Sequence, residues 1–210
     1  MILDLDPLPE GRDTPPISMK TFPIAVLALA FVVPALSGSA RASIQSYLQV
    51  SAIYADIDGD FKSGPGLTVA GGVAFTKHNS IEAEVISFNT QTKDFNPSYD
   101  NKIKTKIQFT PILLTYRYTF TVNDQFGAFA GFSVGRTYAR YEKSYAWNST
   151  HWSQSGTDSV NSGGPQIGCT YNFSPHSSIT AALRALYIDQ TDATTISRLY
   201  MFQFGYRFTF

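Results

Sequence analysis

Residues 200–210 read YMFQFGYRFTF. Aromatic side chains occupy every second position of it: Tyr200, Phe202, Phe204, Tyr206, Phe208 and Phe210. Successive residues of a β-strand point to opposite faces, so a period of two places all six aromatics on one face of a single strand. Chain ends usually fray into water. An aromatic stripe that runs to the last residue therefore predicts a strand whose apolar face meets something other than water.

The same period of two recurs after residue 43 in blocks of about ten residues. Apolar residues alternate within Leu48–Tyr54, Leu67–Phe75, Ile81–Val85, Ile112–Phe120, Phe126–Val134, Pro165–Phe173 and Ile179–Tyr187. Polar connections between the blocks are short at 77–80, 121–124 and 174–177, and long at 58–66, 92–102, 142–161 and 189–195. We therefore predict an all-β, eight-stranded antiparallel up-and-down barrel, with short turns at one end and long loops at the other.

The fourth block runs from about Ile103 to Phe120 and changes parity along its length. Ile107 and Phe109 fall on the face opposite to Ile112 and the residues that follow it. Proline inside a sheet is found mainly at edges and bulges. The pattern predicts a β-bulge near Pro111.

Two barrel architectures share this topology, and alternation does not choose between them. A lipocalin-like soluble barrel turns its apolar face inward, whereas a transmembrane barrel turns it to lipid. The polar face here is rich in Gly, Ala, Ser and Thr, which suits a narrow lumen better than a wetted surface. Aromatics also gather near the short turns, as expected where lipid meets water. These features, and the need for a closed sheet in lipid, favour the transmembrane barrel.

The N-terminal region predicts export. Residues 19–42 read MKTFPIAVLALAFVVPALSGSARA, with a basic start, an apolar run and an A-x-A ending at Ala42. This is the pattern of a cleaved secretory signal peptide, and the apolar run is too short for a comfortable transmembrane helix. The barrel is thus expected to occupy residues 43–210. Residues 1–18 are acidic and Pro-rich, unlike a signal peptide, so we expect either a true start at Met19 or an extended n-region.

Residues 43–210 resemble the eight-stranded outer-membrane β-barrel family, which includes OmpA-, OmpX- and opacity-protein-like barrels. The features that resemble it are the alternating strands, the export signal and the ending YRFTF. The resemblance implies a location in the outer membrane of a Gram-negative-type cell, in contact with its lipids and lipopolysaccharide. It also implies that Tyr206, Phe208 and Phe210 form the signal read by the barrel-assembly machinery.

Five charged residues fall on the predicted lumen face: Glu82, Glu84, Arg117, Arg184 and Arg207. Isolated buried charges are costly, so these groups must be paired or hydrated. One interpretation is a salt-bridge network that plugs a narrow barrel. The other is a lined pathway for a small solute or ion.

Catalytic and metal-binding patterns are absent from the sequence. Each of the three histidines lies outside a predicted strand, and the single Cys169 is interpreted as a packing residue. Some barrels of the family modify lipid A with a His and a Ser near the rim, but no such pair is recognisable here. The sequence predicts no enzyme, metal or cofactor, and its net charge of zero does not favour nucleic-acid binding.

Residues 142–161 contain both tryptophans, Trp147 and Trp152, together with Tyr145. Exposed aromatics among Ser and Asn suit recognition of a partner surface; the alternative is packing within the loop or at the headgroup level. We therefore expect a non-enzymatic surface barrel whose long loops serve adhesion, recognition of a host or surface ligand, or envelope integrity. The alternative function is a narrow OmpW-like channel for small or apolar solutes, and lipid A modification ranks third.

Overall fold

The computed structural model describes residues 44–58, 61–92, 101–147, 150–189 and 198–210, and only the backbone of residues 101–104, 145–147 and 150–152. The predicted signal peptide, its cleavage site and residues 1–18 lie outside these ranges. Eight strands are formed: β1 (Gln45–Ile57), β2 (Gly64–Ala74), β3 (Asn79–Gln91), β4 (Asn101–Thr121), β5 (Phe126–Trp147), β6 (Thr150–Ser174), β7 (Ser177–Ile188) and β8 (Arg198–Thr209). Each pairs antiparallel with its neighbours in sequence, and β8 pairs with β1 to close the barrel. The prediction of an eight-stranded up-and-down barrel is confirmed.

The apolar face of every strand points outward. Leu114 of β4, Leu183 of β7 and Phe204 of β8 are 53%, 55% and 53% exposed, and the lumen-facing neighbours Arg184 and Gln203 are buried. A wide band of exposed leucine, isoleucine, phenylalanine and tyrosine around a barrel is incompatible with water and suits lipid. The soluble, lipocalin-like alternative is therefore excluded. No helix among the described residues is long and apolar enough to cross a membrane.

Three tight turns close the end of the barrel that holds the termini: residues 75–78, 122–125 and 175–176. In the first, Thr76 Oγ1 accepts hydrogen bonds from the backbone N–H groups of His78 and Asn79, at 3.1 and 2.9 Å. In the second, Asn123 Oδ1 accepts from the N–H groups of Gln125 and Phe126, at 3.0 and 2.7 Å. Short side chains that bond to the backbone just ahead fix tight turns. In outer-membrane barrels such turns face the periplasm.

The predicted bulge near Pro111 is wrong. Pro111 pairs with Thr137 of β5 within an unbroken register, and the pairing of β4 with β3 keeps the same register on both sides of the proline. Between Phe109 and Ile112, only Thr110 and Pro111 have no paired residue on β3, because proline has no N–H to donate to the neighbouring strand. The apolar residues of β4 change from one face to the other because Ile107 and Phe109 face the lumen, where both are buried, whereas Ile112 and Leu114 face outward.

These two residues belong to an apolar layer inside the upper barrel, away from the tight turns. Phe88 and Phe109 stack with ring centroids 5.2 Å apart. Around them lie Ile53, Ala55, Ile57, Ile86, Ile107, Leu113, Ala139, Leu186, Ile188, Leu199 and Met201. The protein thus has an apolar core within the lumen in addition to its lipid-facing band.

The segment 142–161, predicted as a long loop, is mostly strand. β5 continues to Trp147 and β6 starts at Thr150, with an unbroken register from Trp147↔Thr150 down the hairpin. β6 has 25 residues and β5 has 22, whereas about ten residues cross a bilayer. The extended hairpin (residues 142–147 and 150–155) therefore projects beyond the barrel wall, accompanied by β4 up to Asn101, whereas Ala139 below it is still buried in the lumen.

Candidate functional site

The lower lumen holds a charged network centred on Glu82 of β3. Arg117 of β4 lies with Nη1 3.1 Å from Glu82 Oε1, and Arg207 of β8 places Nη2 2.9 Å from the same oxygen. Tyr47 of β1 donates its hydroxyl to Glu82 Oε1 at 2.7 Å. Glu82 is only 2% exposed, so its charge depends on these donors rather than on water.

A second group forms around Glu84, one lumen position further along β3. Arg184 of β7 forms a salt bridge with Glu84, in which Nη1 lies 2.6 Å from Oε2. Nη2 of the same arginine donates a hydrogen bond to Gln166 Oε1 at 2.7 Å. Thr68 and Gln203 donate to Glu84 Oε1 at 2.8 and 3.3 Å. Ser51 connects the two groups, because its Oγ accepts hydrogen bonds from both Gln49 and Gln203. Gln49 belongs to the first group, since its Oε1 accepts from Arg207, and Gln203 belongs to the second, since it donates to Glu84.

All five predicted lumen charges thus lie inside the barrel, in three salt bridges. Three guanidinium groups face two carboxylates, and aromatic rings contact two of the guanidinium groups. Arg117 Cζ lies 3.8 Å from the Phe129 ring centroid, and Arg207 Cζ lies 4.0 Å from that of Tyr47. A desolvated guanidinium over an aromatic face is favoured by the ring quadrupole. The two rings therefore help to stabilise the positive charge that the two carboxylates do not neutralise.

Two glycines make room for these rings. A Cβ at Gly72 would collide with the ring of Tyr47, its partner in register, and a Cβ at Gly168 would collide with Phe129. Both inward aromatics therefore lie flat across a neighbouring strand and leave space for arginine in a narrow lumen. Glycine inside a strand often marks such a close approach.

Side chains fill the lumen at two levels, charged below and apolar above. The opening on the side of the tight turns is a cavity of about 530 Å³, whose lining includes Tyr47 and Arg207 at the edge of the charged network. Above that network, the fully buried Phe88, Phe109 and Leu199 belong to the apolar layer. An ion that entered from the turn side would meet the three salt bridges and then an apolar layer.

The histidines of two turns share one structural role. His78 Nδ1 donates to the Thr119 carbonyl and His176 Nδ1 to the Thr209 carbonyl, both at 2.9 Å. Their rings stack on outward aromatics, Tyr118 and Phe208, with centroids 5.6 and 6.3 Å apart. Each histidine therefore ties a turn to the adjacent strand at the membrane rim.

No group of three His, Cys, Asp or Glu side chains within the described part of the chain could hold a metal ion. Cys169 lies half-buried in β6, opposite Ala181, and has no disulfide partner.

The C-terminal aromatics lie on the lipid face. Phe208 and Phe210 make an edge-on contact with ring centroids 5.3 Å apart, and the N–H of Phe210 donates to the Ser46 carbonyl at 2.9 Å. Tyr206 bonds through its hydroxyl to Ser177 at 2.7 Å. Their predicted role as an assembly signal stays a prediction.

The three aromatic residues predicted to recognise a surface lie at the end of the extended hairpin. Tyr145 is opposite Trp152 across the hairpin and opposite Ile103 on β4, and Trp147 is opposite Thr150. The register gathers these positions at the tip of a sheet rather than spreading them along a loop. Their side chains lie outside the described part of the structure.

Sequence reasoning missed the neutral half of the lumen network: Gln49, Gln166, Gln203, Tyr47 and Phe129. The glutamines share lumen parity with the arginines, so the signal was present in the alternation. The two aromatics were harder to find, because aromatic residues in such a strand suggest the lipid face.

Comparisons with known proteins agree with this geometry. The family model described as the outer membrane protein beta-barrel domain matches residues 24–210. Similar solved structures include Neisserial surface protein A (15% identity, TM-score 0.51) and the attachment invasion locus protein Ail of Yersinia pestis with the heparin analogue sucrose octasulfate (15%, 0.50). Each comparison covers 80% of this chain and 97% of the other. OprG from Pseudomonas aeruginosa is similar at 15% identity and TM-score 0.55, over 80% of this chain and 96% of OprG. None of the curated proteins matches this chain.

Proposed function

This chain belongs to the outer membrane protein beta-barrel domain family, and on that premise we propose that it is a non-enzymatic surface barrel that recognises a host or surface ligand through its extended hairpin. It is an outer-membrane protein, so the hairpin, at the end opposite the tight turns, faces the cell exterior.

The observation that supports this proposal is the contrast between a filled lumen and a projecting hairpin. Within the described part of the chain, the paired charges and the apolar layer fill the interior of the barrel. By contrast, β5 and β6 continue well past the end of β7, since the last β6–β7 pair is Ser162↔Ile188. Material ordered outside the membrane is where a barrel of this size meets other molecules.

The comparisons support the same reading in a weaker way. One similar barrel is named a surface protein and another an attachment invasion locus protein, the latter solved with a heparin analogue. At 15% identity they share a fold with this chain.

A truncation tests the proposal. Tyr141 and Gly156 are opposite each other in the hairpin, so an Asn-Gly turn that joins them removes residues 142–155 and keeps the barrel wall. We expect cells that express the truncated protein to lose adhesion to epithelial monolayers or to immobilised heparin. Outer-membrane permeability to small solutes should not change.

A second variant separates the aromatics from the hairpin itself. Tyr145→Ser, Trp147→Ser and Trp152→Ser together should reduce adhesion as the truncation does. The matched control, Ser153→Ala with Ser155→Ala, alters two exposed hairpin residues and should adhere like wild type. Adhesion that survives truncation, or permeability that changes while adhesion stays normal, would favour the narrow channel instead. A change in lipid A mass on expression would favour the enzyme.

A further inference from the structure

The charged network of the lower lumen contains one more positive group than negative groups. Arg117, Arg184 and Arg207 form its salt bridges with two glutamates. Glu82 and Glu84 are the only buried carboxylates among the described residues, and both are already paired. An unbalanced charge in a narrow, poorly hydrated space is costly unless another group compensates it. The network is therefore short of one negative charge.

Arg207 is the arginine of this network that a ligand can reach. Its side chain is 13% exposed, whereas those of Arg117 and Arg184 are each 3% exposed. Its Nε and Nη2 donate to Gln49, and Nη2 also contacts Glu82. Its Nη1 donates to no residue in the described part of the chain. One end of the guanidinium is thus left for a ligand.

This guanidinium lies at the inner end of the turn-side cavity of about 530 Å³. Thr170 and Ser178, which is opposite Arg207 in the register, are buried and also line that cavity. Their hydroxyls make no hydrogen bond with another described side chain. At the outer rim, the exposed Lys77 and Asp124 carry opposite charges. The net positive charge of the lining therefore comes from Arg207.

Further into the barrel, buried donors lack acceptors. Thr180 is the next lumen residue of β7 after Ser178, and its hydroxyl is buried without a hydrogen-bond partner among the described residues. Gln166 Nε2 and Arg117 Nε are buried and unpartnered in the same sense. Buried polar groups are normally hydrogen-bonded. A water molecule can accept from such donors, but only an anion also balances the charge.

We propose that the inner end of the turn-side cavity binds one small oxyanion, the carboxylate or phosphate group of a free periplasmic solute, through Arg207 Nη1 and the hydroxyls of Ser178 and Thr170. Guanidinium and hydroxyl groups are donors that match the oxygens of such an ion. The site lies inside the barrel, where a free ion has easier access than a group on a polymer. Because an apolar layer follows above the salt bridges, the ion binds there without crossing the barrel. This inference does not depend on recognition by the hairpin.

The test uses the protein purified from membranes in a zwitterionic detergent. Calorimetric titrations with inorganic phosphate, acetate and chloride, at constant ionic strength, give the affinity and the stoichiometry. We expect wild type to bind one phosphate or one acetate per barrel and to bind chloride more weakly, because the guanidinium matches oxyanion geometry. Binding of only one of the two oxyanions would support the proposal and identify the group.

Arg207→Gln should weaken oxyanion binding at least about tenfold, because it removes a charged donor. It leaves two arginines for two glutamates, so the barrel is expected to fold. Ser178→Ala keeps every charge and should weaken binding severalfold. The matched control is Lys77→Gln, which removes one positive charge from the rim of the same cavity and should bind like wild type. Unheated gel mobility verifies that each variant is a closed barrel.

No saturable binding by wild type, unchanged binding by Arg207→Gln, or an equal loss in Lys77→Gln would each overturn the proposal. Chloride bound as tightly as the oxyanions would indicate attraction by net charge alone and would also reject it. If Arg207→Gln does not fold, Ser178→Ala decides, since unchanged binding by that variant contradicts the site.

Discussion

At the level of single residues, the lumen charges are governed by what they pair with. Glu84 is 1% exposed, forms a salt bridge with Arg184 and accepts hydrogen bonds from Thr68 and Gln203, so these partners replace hydration that burial has removed. Removing one member of a buried pair costs more than removing both, because a lone buried charge stays behind. The network is therefore expected to behave as a unit.

Arg184→Met should destabilise the barrel by roughly 3 kcal/mol, since Glu84 is left without its cation. Glu84→Gln combined with Arg184→Met should recover a large part of that loss, because glutamine still accepts from Thr68 and Gln203. The free energy of unfolding, measured by urea titration in lipid vesicles, checks both. A double variant no more stable than Arg184→Met would show that the ion pair is not the source of the effect.

Variants of the lumen arginines also test whether the charged network plugs the barrel or lines a pathway for a small solute or ion. The apolar layer around Phe88 and Phe109 is untouched by them. Conductance in planar bilayers should therefore stay at background for Arg184→Met and for Arg117→Met. A rise in conductance without a loss of stability would instead support a pathway lined by these charges.

At the level of elements, β8 combines closure of the barrel with the predicted assembly signal. It pairs with β7 on one side and β1 on the other, so its backbone is fixed whatever its outward side chains are. Phe210 is 56% exposed and contacts Phe208 on the lipid face. Its side chain therefore contributes little to the packing of the finished barrel.

Phe210→Ala should lower the amount of folded protein in the outer membrane severalfold, because the assembly signal loses its last aromatic. Refolding of purified protein into lipid vesicles should be nearly unchanged. Thr209→Ser, on the lumen face of the same strand, is the control and should assemble normally. If the amount of folded protein in cells is the same for Phe210→Ala and wild type, Phe210 is not part of the signal.

At the level of the whole molecule, closure makes the barrel resistant to detergent. Every strand has two neighbours, so no sheet edge is open to water or SDS around the barrel wall. Unfolding must break several ladders together, which is slow without heat.

Unheated protein in SDS should therefore migrate differently from boiled protein on a gel, because the closed barrel stays compact until heated. The measurement is a pair of lanes from the same membrane preparation. Identical mobility in both, with the protein recovered from the soluble periplasm, would contradict a lipid-embedded barrel.

Three features could be predicted from the alternation of residues along the chain: the number of barrel strands, the outward face of each strand and the set of charged residues in the lumen. Alternation reports these features because lipid on one side and a narrow lumen on the other impose opposite demands on successive residues. Phe204 and Gln203 of β8 follow that rule directly, with one exposed and the other buried.

The three-dimensional structure was needed to show which charges meet, which residues fill the upper lumen and how far the hairpin projects. Glu82 and Arg207 are 125 residues apart and meet because β3 and β8 face each other across the lumen, which depends on the register of the whole barrel. Ile107 and Phe109 looked like misplaced lipid-facing residues because parity does not distinguish an apolar lumen from lipid. The extended hairpin looked like a loop because both of its faces lie outside the membrane, where no alternation is required and pairing between strands sets the structure.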